Sequence, residues 1–216
     1  FAVVIVGGCS AFGVISGIIA SAPSIEDIDA TPTGYLTTVL DNQGNQTATL
    51  VASGSNRKYV TINEIPINLQ HAFVAIEDER FYDHNGIDLQ GILRAGLKGV
   101  ASGFHFSEGA STITQQLLKN TVFTQWTSEQ SMADKFERKF QEQYLALQLE
   151  KVVDKDWILE NYLNAINLGQ NTLGVGVASE RYFGKDVSDL TLSECAVLAA
   201  ITQSPSYYNP ITHPDH

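Results

Sequence analysis

Residues 72–94 read AFVAIEDERFYDHNGIDLQGILR, and this stretch decides the fold, because a run of acids stands inside an apolar helical pattern. Before it, Pro66 suits the first residue of a helix, where its missing N–H would have no partner anyway. Apolar side chains then recur at helical spacing and describe one buried stripe: Leu69, Phe73 and Ile76. The helical part ends before a turn at Asn85 and Gly86. From Pro66 onward the same pattern predicts a mainly α-helical chain.

Glu77 is the candidate catalytic residue of this stretch. It follows Ile76 and lies four residues beyond Phe73, so it falls on the margin of the buried stripe. A carboxylate in that place is partly desolvated, which favours its neutral form and prepares it to act as a general base. From these residues alone, the alternative is that Glu77, Asp78 and Glu79 form an ordinary charged helix face.

The charge balance limits the classes of function. Of 216 residues, 13 are Lys or Arg and 24 are Asp or Glu, which gives a formal net charge of -11 and a pI near 4.7. This balance argues against nucleic acid as a partner, because neutralising phosphates needs a basic surface. The two cysteines, Cys9 and Cys195, define no disulfide framework. The length suffices for one membrane segment and one domain with a substantial core.

The N-terminal residues 1–22 carry no charged side chain, and a run of this length can cross a hydrocarbon core that takes about 20 helical residues. We predict a transmembrane helix; a cleaved signal peptide is the alternative, but no basic region precedes the run. The next charges are acidic, and no Lys or Arg occurs before Arg57, whereas cytoplasmic flanks are basic. We therefore expect a single-pass protein whose catalytic part lies outside, and we expect further residues upstream of Phe1.

Residues 23–62 are predicted to form a linker and a small β element. Tyr35–Leu40 and Thr47–Ala52 are rich in strand-forming residues, and turn-forming side chains stand between them. A third short strand is expected at Lys58–Ile62. Residues 63–216 follow as one helical domain.

A second polar stretch, residues 109–120, reads GASTITQQLLKN. Thr112 followed by Gln115 resembles a capping box, so a helix should begin here with N–H groups suited to an anion. Thr112, Gln116 and Lys119 fall on one face of that helix and form a polar stripe ending in a cation, which suits a diphosphate. The alternative is an ordinary amphipathic helix with a solvated stripe.

A third stretch, residues 138–150, reads RKFQEQYLALQLE inside a long helix that we expect to begin near residues 127–128. Arg138 and Lys139 precede Glu142 by four and three residues, so the three side chains can share one patch. By itself such a patch is most often a surface ion-pair face of little energetic value. Beside Glu77 and a cationic stripe, it is a candidate second carboxylate with a phosphate clamp.

Together these stretches resemble successive motifs of family 51 peptidoglycan glycosyltransferases, the polymerising domains of class A penicillin-binding proteins and of their monofunctional relatives. The matching segments are Glu77–Gly86, Gly109–Asn120, Arg138–Glu150, Ile158–Lys185 and Leu192–Pro210. The resemblance implies a mainly α-helical, lysozyme-like glycosyltransferase domain on the outer face of a bacterial cell membrane. Because relatives continue where this chain ends, we expect a truncated C-terminus and a transpeptidase domain beyond it.

The resemblance further implies that lipid II is polymerised into β-1,4 glycan strands. Glu77 would take the proton of the acceptor's GlcNAc 4-hydroxyl, which attacks the anomeric carbon of the growing strand's terminal MurNAc while undecaprenyl diphosphate leaves. Glu142, the second motif glutamate, would orient the leaving group or bind a magnesium or manganese ion; no organic cofactor is expected. The residues matched to substrate and diphosphate binding are Arg94, Ser111, Thr112, Gln115, Gln116, Lys119, Arg138 and Lys139.

One position departs from the family pattern, which often carries a basic residue one helical turn before the Arg-Lys pair. Here that residue is Asp134, so either the adjacent Lys135 compensates or the diphosphate clamp is weaker.

Two other classes of protein stay open at this point. A lysozyme-like peptidoglycan hydrolase or lytic transglycosylase would also use one helix-borne glutamate, but it needs no cations for a diphosphate. A non-catalytic, membrane-anchored scaffold for wall assembly would have no reason to carry Glu77 and Glu142 together.

Overall fold

The structure, a computed structural model, describes residues 2–52, 54–102 and 109–216. Its helices are α1 Ala2–Ala20, α2 Ile67–Glu77, α3 Leu89–Ala101, α4 Ile113–Thr121, α5 Met132–Leu149, α6 Lys155–Ala165, α7 Val175–Phe183 and α8 Leu192–Ile201. Short 3-10 helices stand at Thr124–Ser128 and Val187–Asp189, and the two strands are β1 Thr37–Leu40 and β2 Gln46–Leu50. The described chain is therefore mainly helical, as predicted.

The chain divides into two compact units. One contains Phe1–Ala30 and His84–Asp154, and the other contains Thr31–Asp83 and Lys155–His216. The division falls inside the stretch quoted first, so Glu77 belongs to one unit and the turn at Gly86 belongs to the other.

In the first unit α5 is the central helix, because both α1 and α4 pack on it. Gln141 on α5 donates to Ser21 Oγ just after α1, at 3.0 Å. Thr114 on α4 donates to Glu150 Oε1 at the end of α5, at 2.5 Å. The buried core between α4 and α5 consists of Ile113, Leu117, Leu118, Leu145, Ala146 and Leu149.

A helix occupies the place of the predicted membrane span. Among the residues that the structure describes, however, no helix is both long enough and apolar enough to cross a bilayer. The predicted transmembrane span is thus not confirmed.

In the second unit α2 packs against α8, and the aromatic rings of Phe73 and Tyr162 meet edge to face with centroids 6.2 Å apart. Both residues are fully buried. Other buried apolar side chains of this unit are Leu69, Phe81, Ile158, Leu159, Leu163, Leu168, Val175, Leu198 and Ile201. The helix predicted after Pro66 begins one residue later, with Pro66 as its N-cap.

The β element is a two-stranded antiparallel hairpin, as predicted, with Thr37 opposite Leu50. The third strand predicted at Lys58–Ile62 is wrong. Val60 donates its N–H to Asn164 Oδ1 and accepts from Asn164 Nδ2, at 2.9 and 2.8 Å, so a buried side chain on α6 replaces a strand partner. A strand-forming composition cannot reveal that replacement.

The predicted start of the long helix near residues 127–128 is also wrong. Residues there belong to the 3-10 helix, and α5 begins at Met132. Ser131 is the N-cap, and its side chain accepts from the N–H of Ala133 at 3.0 Å. Such a cap satisfies a helix N–H that would otherwise lack a partner, which fixes the start of the helix. Asp134 lies exposed in the first turn of α5, where a negative charge is favourable.

Candidate active site

A buried carboxylate, Glu142 on α5, is the centre of the polar cluster in the first unit. Its side chain has no solvent exposure. Arg138 donates to Oε1, and Lys139 Nζ donates to Oε2 at 2.8 Å. These partners stand one helical turn before Glu142, so a single helix aligns all three. Because a buried charge without a partner is very costly, the two cations are what permit this carboxylate to be inside.

Two further residues extend the cluster beyond α5. Arg138 Nε donates to Glu129 Oε1 at 2.7 Å, and Lys139 Nζ donates to Ser111 Oγ at 3.0 Å. Burial lowers the pKa of Arg138, but its hydrogen bonds to Glu129 and Glu142 outweigh that effect and raise the pKa. The guanidinium is therefore permanently charged and held from two sides.

Lys119 adds a third cation from the last turn of α4. Its Nζ lies 3.7 Å from the centroid of the Trp126 ring, a cation–π contact. Burial lowers the pKa of Lys119, and the charges of Lys139 and Arg138 lower it further, while Glu142 opposes them. Three cations, Lys119, Arg138 and Lys139, thus stand with two carboxylates, Glu129 and Glu142, which leaves one positive charge in excess.

Thr112 and Gln115, both predicted to contact substrate, form hydrogen bonds to the turn at Gly86. Thr112 is the N-cap of α4, as predicted, and its side chain accepts from Gln115 N at 3.2 Å. The Thr112 hydroxyl donates to Gly86 O at 2.7 Å, and Gln115 Nε2 approaches the same oxygen at 3.3 Å. Both side chains are buried. The geometry gives them a positioning role between α4 and the turn at Gly86.

The remaining predicted contacts stand on their expected helices. Arg94 is exposed on α3, and Gln116 is half-buried on α4. Their contacts with substrate stay predictions. Of the residues predicted to form a site, the structure joins Ser111, Arg138, Lys139 and Glu142 by hydrogen bonds and sets Lys119 within reach of their charges.

Glu77 is the last residue of α2 in the second unit, and its side chain is half-buried, as predicted. The predicted buried stripe itself is only partly correct: Leu69 and Phe73 are buried, but Ile76 is 39% exposed.

Glu77 Oε1 accepts a hydrogen bond from the hydroxyl of Thr202, directly after α8. The next residue, Asp78, is buried and forms the C-cap of α2. Burial raises the pKa of Tyr162, and the charges of Glu77 and Asp78 raise it further. The Glu77 carboxylate is therefore close enough to the buried Tyr162 to influence its pKa, and it accepts a hydrogen bond from Thr202.

The chain was also compared with known protein families. A sequence model of the family described as Transglycosylase matches residues 43–216. The chain belongs to the transglycosylase family. Membership confirms the resemblance that the motifs carried, and it supports the predicted enzyme class, a peptidoglycan glycosyltransferase.

Curated relatives of this transglycosylase domain are penicillin-binding proteins. Penicillin-binding protein 1A of Clostridium perfringens (strain 13 / Type A) is 45% identical over 202 residues, which are 92% of this chain and 28% of the relative. Penicillin-binding protein 1A of Clostridium acetobutylicum is 42% identical over 216 residues, 98% of this chain and 26% of the relative. Penicillin-binding protein 1F of Bacillus subtilis is 46% identical over 178 residues, 82% of this chain and 23% of the relative. The chain thus spans only 23% to 28% of the length of these relatives.

The predicted metal role of Glu142 does not fit its surroundings. Each of its carboxylate oxygens is already held by a cation, one by Arg138 and the other by Lys139. Magnesium and manganese need oxygen ligands that are open to them. Within residues 2–52, 54–102 and 109–216, no group of three or more His, Cys, Asp or Glu side chains is arranged to hold a metal. No step of the reaction is therefore routed through a metal on Glu142.

Three residues that contact predicted site residues within their own unit were not predicted from the sequence: Glu129, Trp126 and Thr202. Glu129 precedes Arg138 by nine residues, and a helix end intervenes, so helical periodicity carried no signal for that pair. Thr202 is 125 positions from Glu77. Such pairs are created only by the packing of separate helices.

Proposed function

We propose that this transglycosylase domain polymerises lipid II into β-1,4 glycan strands and releases undecaprenyl diphosphate. The observation that supports the proposal most directly is the surplus of fixed cations around the buried Glu142. A diphosphate leaving group gains negative charge as its bond to the sugar breaks. Cations fixed before the reaction stabilise that charge without any cost of reorganisation.

Glu77 is the general base of the proposed reaction. It takes the proton from the 4-hydroxyl of the acceptor's GlcNAc, and the hydroxyl oxygen attacks the anomeric carbon of the terminal MurNAc. The bond from that carbon to the diphosphate breaks, and its electron pair leaves with the diphosphate. Attack opposite an α-linked leaving group inverts the carbon and gives the β-1,4 linkage. The half-buried, hydrogen-bonded carboxylate suits this role.

The leaving diphosphate is bound by Lys119, Arg138 and Lys139 in this proposal. Glu142 holds Arg138 and Lys139 in place. The family resemblance adds further polar contacts to the lipid diphosphate and the sugars: Arg94, Ser111 and Gln116. Thr112 and Gln115, which are buried and bonded to Gly86 O, take part only by positioning the turn at Gly86. A magnesium or manganese ion remains part of the proposal on the strength of the resemblance alone, and its ligands on this chain are unassigned.

The proposed location is the outer face of a bacterial cell membrane, which suits a lipid-linked substrate. The uncharged N-terminal run and the acidic residues after it support that location. A transpeptidase domain in the whole protein is proposed because the curated relatives are several times longer than the matched region.

The test is incubation of the purified protein with lipid II, followed by separation of glycan products by length. We expect long strands from the unchanged protein and none from Glu77→Gln, because an amide cannot accept the proton. Glu79→Gln is the matched control: it makes the same chemical change two residues away, at a side chain that is 72% exposed. It should retain the unchanged protein's activity.

The same assay distinguishes a glycosyltransferase from the two alternatives, a hydrolase or lytic enzyme and a non-catalytic scaffold. A hydrolase or lytic enzyme would shorten preformed glycan strands in a Glu77-dependent manner. A scaffold would give no product that depends on Glu77. Either result would overturn the proposed polymerisation.

A further inference from the structure

The hydroxyl of Thr202 has two acceptors within reach. It contacts Oε1 of Glu77, and it lies 2.8 Å from the main-chain oxygen of Ala199. A threonine hydroxyl carries a single proton, so it can donate to only one of them at a time. When the hydroxyl donates to Ala199 O, its oxygen can accept a hydrogen bond from a protonated Glu77; when it donates to Glu77, it gives up its bond to Ala199 O.

We infer that Thr202 is a positioning residue that follows the protonation state of Glu77. While Glu77 is ionised, the Thr202 hydroxyl donates to its carboxylate and orients it as the base. Once Glu77 carries the proton, the hydroxyl turns its own proton to Ala199 O and accepts a hydrogen bond from Glu77. The inference rests on the proposed function, in which Glu77 is the general base.

The proton balance of this exchange is simple. The proton moves from the acceptor hydroxyl to Glu77, a new bond joins that oxygen to the anomeric carbon, and the electron pair of the broken bond leaves with the diphosphate. Thr202 neither gains nor loses a proton, because only the direction of its O–H bond changes. No further reactant is required.

Ala199 O keeps a partner in both arrangements. The backbone N–H of Thr202 donates to it at 3.3 Å, so the carbonyl is not orphaned when the hydroxyl turns to Glu77. The alternative acceptor is therefore available at little cost.

The backbone of Thr202 is itself held firmly. It is the C-cap of α8, and its N–H bonds back to Ala199 O and Ala200 O. Helix α8 in turn packs on α2, which ends at Glu77. A β-branched side chain has few rotamers available, so the fixed backbone also fixes the place of the hydroxyl oxygen.

The experiment compares Thr202→Val and Thr202→Ser in the lipid II assay with steady-state kinetics. Valine keeps the branched shape and removes the hydroxyl, whereas serine keeps the hydroxyl. We expect Thr202→Val to lower kcat about tenfold, as loss of a hydrogen bond to a charged group does, while KM changes less than about twofold. Thr202→Ser should stay within about twofold of the unchanged protein in both constants. Thermal unfolding checks that each variant is folded, and Thr202→Ala replaces Thr202→Val if that variant is not.

Thr121→Val is the matched control. The Thr121 hydroxyl donates to Leu117 O at 2.8 Å, so it makes the same kind of bond to a helix carbonyl. It should leave kcat and KM unchanged. A general effect of removing such a hydroxyl would appear in both threonine variants.

The outcomes are separable. If Glu77→Gln is inactive and Thr202→Val has unchanged kcat, the inference is wrong and the proposed function stands. The inference also fails if only KM rises, or if serine behaves like valine. If the unchanged protein forms no strands or Glu77→Gln still forms them, the proposed function fails, and the role of Thr202 falls with it.

Discussion

Lys139 Nζ lies 2.8 Å from Oε2 of Glu142, whose side chain has no solvent exposure. The spacing of these residues alone is typical of a surface pair that contributes little to stability. Lys139 itself is 41% exposed, but the carboxylate is fully buried, and removing a cation that holds it leaves a desolvated negative charge less well compensated. The same contact therefore contributes to the stability of the first unit and holds Lys139 in place for the proposed binding of the diphosphate.

Replacing Glu142 by glutamine tests that link. Glu142→Gln keeps the shape of the side chain and removes its charge, so Arg138 and Lys139 face a neutral amide. We expect the free energy of unfolding to fall by roughly 2–4 kcal/mol in chemical denaturation, with glycan synthesis lost as well. Glu137→Gln, at an exposed site on the same helix, should change stability by less than about 0.5 kcal/mol. Equal stability of both variants would show that the pairing is energetically negligible.

Glu129 should affect activity indirectly, by positioning the guanidinium of Arg138. Glu129→Gln weakens one of the two carboxylate contacts that hold the guanidinium, so the cation is less well placed for the diphosphate. We expect kcat/KM for lipid II to fall about tenfold. Asp134→Asn makes a similar loss of charge at an exposed site in the first turn of α5 and should have little effect. A comparable loss in Asp134→Asn would instead point to a general charge effect.

The charge of Lys119 should lower the free energy of unfolding at neutral pH, because its ammonium group is partly buried beside two other cations. Its folded pKa lies below 10.5, so the cost of holding the charge is complete below the folded pKa and disappears as the pH rises toward 10.5. Lys119→Met keeps the chain length and an aromatic contact with Trp126 without the charge. We expect a higher urea midpoint than the unchanged protein at pH 7, a smaller difference near about pH 11, and much lower activity.

The control for that pH series is Lys135→Met, at an exposed site on α5. Its urea midpoint should follow that of the unchanged protein at every pH. If Lys119→Met were less stable than the unchanged protein at pH 7, the burial and repulsion assigned to Lys119 would be wrong.

Gly86 should tolerate no side chain. Its φ is +88°, and an added Cβ would lie 2.5 Å from Ala146 O on α5. We expect Gly86→Ala to lower the free energy of unfolding by about 3 kcal/mol or more, from backbone strain and overlap together. Gly44 has a similar φ of +85° with open space around it, so Gly44→Ala isolates the strain and should cost only about 1 kcal/mol. Similar losses at both glycines would show that the turn at Gly86 can move away from α5.

Local patterns in the sequence predicted the helices well. The apolar spacing around Phe73 predicted α2 and the half-buried place of Glu77, and Thr112 predicted the start of α4. Interactions within one turn of a helix depend on spacing alone, so they were visible without the fold. Predictions that depended on distant partners were less successful. The strand at Lys58–Ile62 was wrong because Asn164 supplies the hydrogen bonds of Val60.

The sequence by itself determined the family, the order of the motifs, and the pairing of Arg138 and Lys139 with Glu142, because these follow from residues that are neighbours along the chain or on one helix. Only the tertiary structure decided that Glu142 is fully buried and that Glu129 joins it through Arg138. It also decided that Thr202 donates to Glu77. Burial and long-range contacts arise when separate helices pack, and no spacing along the chain encodes them.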